Sequence, residues 1–142
     1  MTVLSNIDDL EKALKAGVLA CVSLPIAQEN SSFEKPADGA PWAAVFVLPN
    51  APSAATLGVG GQDAYDGIMQ IDLNFPKLKG TASVAAAARQ ITDYFHVGRV
   101  LTHNGTRVHV AGAGNPRNNP DANGYYRRSL TITWHARIDR PV

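Results

Sequence analysis

The run Met69-Gln70-Ile71-Asp72-Leu73-Asn74-Phe75 alternates without a break between apolar and polar side chains. Successive side chains of a strand point to opposite faces, so this stretch is a strand with one face in a core and the other toward water. Just beyond it, Gly80-Thr81 opens a helix capped by Thr81 or Ser83, with Val84, Ala87, Ala88, Ile91 and Phe95 as its apolar stripe. The alanines in that stripe let the helix lie close on a sheet. Asn104-Gly105 is a strong two-residue hairpin signal and joins Val100–His103 to Thr106–Ala111. A hairpin of that length pairs His103 with Thr106 and Val100 with His109. Residues 112–124, GAGNPRNNPDANG, read as a polar loop. In the last strand Leu130, Ile132, Trp134, Ala136 and Ile138 face inward, and Thr131, Thr133, His135 and Arg137 face outward.

Upstream of the alternating run, Trp42 to Leu48 is continuously apolar between Pro41 and Pro49 and reads as a central strand. Residues 25–41 and 49–67 are rich in Pro and Gly and read as loops. The first helix starts at a cap on Ser5 or Asn6, with Asp8, Asp9 and Glu11 near its positive end. Ile7, Leu10 and Leu14 form its inner face, and Gly17 is read as its end. Val18 to Leu24 then reads as a buried strand stopped by Pro25. The expected architecture is a single α+β domain over residues 1–142, in the order α-β-β-β-α-β-β-β. Its sheet is mixed but antiparallel-rich, with two helices packed on one face. Loops 25–41, 49–67 and 112–124 are long for so small a domain, as expected of arms that reach neighbours.

A chain of 142 residues with 45% hydrophobic and 18% charged residues is long enough for one stable core. No apolar run approaches the length of a membrane-spanning helix, and Met1 to Leu10 lacks the pattern of a signal peptide. The single cysteine, Cys21, lies among apolar residues and reads as a buried, inert thiol, which suits a reducing cytoplasm. The net charge of +1 conceals an asymmetry. Residues 1–75 hold nine acids against three lysines, net −6; residues 76–142 hold ten bases, eight of them arginine, against three aspartates, net +7. Either the two sets neutralise each other across one domain, or unlike faces meet between copies of the chain. Arginine, with its planar fork, suits the second role. The bases are too dispersed to resemble a nucleic-acid-binding run.

Residues with catalytic potential do not assemble into a motif. The histidines are His96, His103, His109 and His135; the hairpin register places His103 and His109 on opposite faces, and no HExxH or CxxC spacing occurs. There is no G-x-S-x-G elbow. Gly58-Val59-Gly60-Gly61 lacks the Lys-Ser/Thr of a phosphate loop, and Gly112-Ala113-Gly114 leads into Asn and Pro instead of a helix. Gly60-Gly61-Gln62 matches the tripeptide of translation release factors but is followed by Asp63 and Asp66, not by basic residues. No catalytic, cofactor-binding or metal-ligating residue is therefore assigned. Tyr125-Tyr126-Arg127-Arg128 combines aromatics and arginines at a strand entry, the composition of an interface hot spot. With Arg117 on the basic side and Asp63 and Asp66 on the acidic side, these are the candidate contact residues.

Five segments carry a family resemblance in order: Pro36-Ala37-Asp38-Gly39-Ala40-Pro41-Trp42, Ala55-Thr56-Leu57-Gly58, Gly67-Ile68-Met69-Gln70-Ile71-Asp72, Leu101-Thr102-His103 and Tyr126-Arg127-Arg128. Together they span roughly residues 8–138 and resemble the small tail-terminator-like proteins of long-tailed phages and prophages. The resemblance implies an α+β domain that assembles in the host cytoplasm as a hexameric ring on the end of the tail tube. The ring stops tube polymerisation, offers a surface for joining the head, and leaves a lumen through which DNA passes. The implied partners are other copies of the chain, the tube protein and the head–tail connector, with no cofactor and no membrane. Two further readings stay open at this point: a connector or neck protein, and a small nucleic-acid-binding module whose affinity would fall steeply with salt.

Overall fold

In the computed structural model, which describes residues 4–141 (only the backbone for Asp38 and Asn115), the alternating run forms the centre of a 15-residue strand. The chain runs α1 (Ile7–Cys21), β1 (Ile26–Gln28), a 3-10 turn (Ala37–Gly39), β2 (Trp42–Pro49), β3 (Ser53–Ala54), β4 (Gln62–Pro76), α2 (Ala82–Tyr94), β5 (Val100–His103), β6 (Thr106–Ala122) and β7 (Tyr125–Asp139). The strands make one sheet in the order β1-β2-β4-β7-β6-β5, with β3 on β4. All pairings are antiparallel except β1 with β2. This is the expected α+β order, with the two-residue β3 added between β2 and β4. β2 is the second strand from the edge, so the central positions belong to β4 and β7.

Both helices lie on one face. Leu10, Leu14 and Val18 of α1 and Val84, Ala87, Ala88 and Ile91 of α2 share a core with Val45, Met69, Ile71, Leu73, Ile132 and Trp134. The strand alternation is therefore realised as drawn from sequence: odd residues of β4 and even residues of β7 point under the helices. Asn6 is the helix cap, its side chain accepting from the Asp9 backbone N–H at 2.9 Å.

Three expectations are corrected. The helix does not end at Gly17, and Val18 to Leu24 is not a strand: α1 runs on to Cys21, and Val18 is a core residue of the helix. Gly17 serves proximity instead of termination. A Cβ there would meet Phe95 Cζ at 2.9 Å and Tyr94 Cε1 at 3.2 Å, so the glycine lets α1 approach the end of α2. The strand expected at that point of the order is β1, beyond Pro25.

Second, residues 112–124 are not a loop. They complete β6 and turn into β7. Beyond Val110, β6 is an edge, because β5 pairs only Thr106–His109. Its register against β7 shifts at three places, and Pro116 and Pro120 lie in two of those shifts. Prolines and bulges are tolerated at sheet edges, which is why a composition that reads as loop forms a strand here. Third, parts of the segments 25–41 and 49–67 are strand: β1 lies within the first, β3 lies within the second, and β4 begins there at Gln62.

Trp42 and Trp134 are both buried, but only Trp134 joins the main core. Trp42 lies on the far face of the sheet in a separate cluster with Ala44 and Tyr125, covered by Phe33 and Ala27. Cys21 is half-buried instead of fully buried as expected, and the burial it has pushes its thiol up to about 11, which keeps it protonated and unreactive at neutral pH.

The start and end of the described chain are tied together. The Ser5 backbone N–H and hydroxyl donate to Asp139 at 3.0 and 2.9 Å, and Gln62 Nε2 donates to it at 3.0 Å. These donors, Gln62 first and Ser5 second, hold the Asp139 carboxyl below the usual carboxylate range. A depressed value means stability that is present above the unfolded value and lost as pH falls through the folded one. Asp139→Ala is expected to cost about 1 kcal/mol at pH 7, a small figure because solvent screens the site. As the pH falls below about 4 the difference from the parent chain should shrink progressively, as thermal melts across pH 2.5–7 would record.

Candidate functional site

The face of the sheet away from the helices is the part of the molecule with unassigned chemistry. Strand pairing maps it in rows. Near the turn into α2 come Asn74 beside Arg127, and Asp72 beside Ser129 and Arg117. At the other end come Asp66 beside His135 and His109, and Ala64 beside Arg137. Arg127 and His135 are eight positions apart on β7, which at the rise of a strand separates the two ends by about 26 Å.

The basic end is partly bound up within the chain. Asn74 is fully buried, and its Oδ1 accepts from Arg127 Nε at 2.8 Å. Buried Asp72 accepts from Gln70 Nε2 at 3.0 Å and from the Ser129 hydroxyl. These partners satisfy buried polar groups that would otherwise be costly. Tyr125 and Tyr126 divide between the faces. Tyr125 is buried edge-on to Trp42, with centroids 6.0 Å apart at 87°, and Tyr126 packs on the main core. Arg128, half-buried opposite Leu73, donates from Nε to Asn118 Oδ1 at 2.8 Å, and Arg117 is exposed.

At the other end, which also holds Arg107 and Arg137, Asp63 lies 3.1 Å from Arg140 Nε, a charge contact without the alignment of a hydrogen bond. Asp66 is exposed and accepts from Asn50 Nδ2 at 3.1 Å. The seven candidate contact residues thus fall into two groups separated along β4, β7 and the neighbouring β6, and among them Arg117, Arg128 and Asp66 present the freer charge.

The hairpin register is as expected, with His103 opposite Thr106 and Val100 opposite His109. Asn104 and Gly105 both have positive φ, 48° and 80°. His103 Nε2 is 3.8 Å from Asp9 Oδ1 on the helix side, whereas His109 stacks on His135 at 5.1 Å and 7° on the other face. The second pair borders a recess of about 330 Å³ lined by Ser5, Gln62, Gly105, Arg107, His109, His135, Arg137 and Asp139. Among the described residues no three His, Cys, Asp or Glu side chains converge as metal ligands, and no helix is long and apolar enough to cross a membrane.

Two features escaped the sequence reading. Asn123-Gly124 is a second hairpin turn, with φ of 53° and 88° and the Gly124 N–H donating to Asp121 Oδ1 at 3.2 Å; the Asn-Gly dipeptide was its signal. Leu57 and Val59 are 90% and 94% exposed at the tip between β3 and β4, which no local pattern announces.

Together these features define a small α+β domain whose distinguishing surface groups are separated charges and exposed apolar side chains. Two solved structures share the fold. One, without a functional name, has 21% identity over 95% of this chain and 94% of that chain, with a TM-score of 0.64. The other belongs to the virion of a native gene transfer agent particle, with 17% identity over 94% of this chain and 96% of that chain, and a TM-score of 0.57. Among curated proteins none matches. The family model for phage tail terminator protein matches residues 7–134, and the chain belongs to that family. It is a structural protein of phage tails.

Proposed function

We propose that the chain forms a homomeric ring, a hexamer, on the end of the tail tube, stops tube polymerisation there and presents the surface that the head–tail connector joins. Family membership supports the reading. The observation within the chain that carries it is the separation of Asp66 on β4 from Arg117 on β6 and Arg128 on β7, six to seven positions along the strands, about 20 Å. Unlike charges set apart on one subunit favour head-to-tail contact, and such heterologous contacts produce a ring when the rotation closes. Termination then follows from asymmetry. One face of the ring complements the growing tube end, and the other does not repeat the tube's own addition surface. DNA would pass through the lumen without base-specific contact.

The experiment is electron microscopy of particles from a phage with an early stop codon in this gene. Overlong, headless tails, corrected by supplying the protein, are expected. Tails of normal length that fail to join filled heads would make the chain a neck protein instead, and normal virions would remove it from tail assembly.

A further inference from the structure

The strand register gathers four basic side chains that lie scattered in the sequence. His109 and His135 are directly opposed on β6 and β7, and Arg107 and Arg137 lie two residues along on the same face, toward the same end. At strand geometry this is a two-by-two block, about 5 Å across and about 7 Å along. All four border the recess of about 330 Å³ described above. His135 and Arg137 also border a second recess of about 330 Å³, beside Asp66. Both arginines and His135 are exposed, and His109 is half-buried.

The chain does not answer these charges from within. Among the described residues no ion pair includes Arg107, Arg137, His109 or His135. Asp139 is the one acid bordering the first recess, and its oxygens are taken: Oδ2 accepts from the Ser5 backbone N–H and hydroxyl, and Oδ1 from Gln62 Nε2. Asp66, opposite His135, accepts from Asn50 Nδ2. Arginines elsewhere in the sheet are matched, Arg140 by Asp63, Arg127 by Asn74 and Arg128 by Asn118. Like charges on neighbouring strands cost stability. Folding therefore gives no reason to crowd two guanidiniums against two imidazoles whose rings stack in parallel at 5.1 Å and 7°. An anion brought in from outside does give one.

We propose that Arg107, Arg137, His109 and His135 form a binding site for a phosphate group. The donor set favours phosphate over a carboxylate. Three or four oxygens accept from two guanidinium forks and an imidazole N–H together, whereas a single fork already fills the two oxygens of a carboxylate. The recess has room for the group and for bridging water. Two sources share this chemistry, the backbone of a nucleic acid and free phosphate. Contacts to phosphate carry no sequence information, so a duplex held here would be held whatever its bases. All four residues belong to one chain, and the site does not depend on the ring proposed above.

The test titrates the full chain with sodium phosphate, with sodium chloride at matched ionic strength, and with a short DNA duplex, while the NMR signals of the histidine rings are followed. Phosphate should move the His109 and His135 signals to saturation and leave His96 and His103 in place. The Arg107→Gln/Arg137→Gln chain should bind phosphate more weakly by roughly tenfold or more. Both arginines are exposed, so in phosphate-free buffer this chain should melt no lower than its parent. Movement of the same two signals by the duplex, lost in the substituted chain, would support the site with a nucleic-acid backbone as source. A response to phosphate without one to the duplex would support it with the free anion as source. An equal response to chloride, or unchanged affinity in the substituted chain, would overturn the site. Displacement of phosphate by an acidic peptide at equal concentration would overturn it in favour of a protein partner. A lower melting temperature of the substituted chain in phosphate-free buffer would overturn it as well, because the arginines would then serve the fold.

Discussion

Gly67→Ala is expected to destabilise the domain by about 3 kcal/mol, at the upper end for overpacking, and to lower its melting temperature by roughly 10 °C. Gly67 sits in β4 between Pro49 of β2 and Trp134 of β7. A Cβ built there lies 2.4 Å from Leu48 O, 2.8 Å from Pro49 Cα and 2.8 Å from Trp134 Cζ2. Two of those three atoms are backbone, so no rotamer change relieves the clash; β2 must move away from β4. Trp134 is wholly buried and occupies the volume a side chain at 67 would take. The two positions are a large-and-small pair across the strands. Calorimetric or spectroscopic melts of the variant decide the matter, and an unchanged midpoint would show that the strands yield easily.

Charge reversal at the two neighbouring arginines should have different consequences. Arg127→Glu is expected to cost about 2 kcal/mol of folding stability, because it leaves the buried Asn74 Oδ1 without its donor and sets a carboxylate beside it. Arg128→Glu loses only an exposed hydrogen bond to Asn118 and should change stability by less than about 0.5 kcal/mol. If the basic end meets an acidic neighbour, Arg128→Glu and Arg117→Glu should nonetheless abolish ring assembly at physiological salt. Denaturant melts paired with electron microscopy of assembled tails separate the effects. Normal tails from a folded Arg117→Glu/Arg128→Glu chain would end the charge-pairing reading.

What the sequence makes legible is what strand and helix periodicity carry. Met69 to Phe75, the α2 stripe and the inward residues of the last strand each repeat a single spacing long enough to leave one solution. Gly17 misled because a glycine in a helical pattern has two physical uses, to stop the helix or to admit a neighbour, and only the position of Phe95 decides between them. Residues 112–124 misled because Pro, Gly and Asn exclude a strand from the middle of a sheet but not from its edge, and edge position is a property of the whole topology. The candidate contact residues were legible as composition. Their division into two groups along the strands was not, since it depends on a register spanning residues 62–139. Leu57 and Val59 look like ordinary apolar residues until the fold leaves them uncovered.

The interrupted edge of β6 bears on how the protein survives before it is used. A structural protein of a tail is folded and free before it is built into a particle. A long, regular, open strand would invite the chains to stitch their backbones into fibres, a union that is hard to undo and has no natural size limit. With Pro116 and Pro120 in its bulges, this edge cannot be zipped. Whatever company this edge keeps must be chosen by side chains, which can let go of a wrong neighbour and wait for the right one.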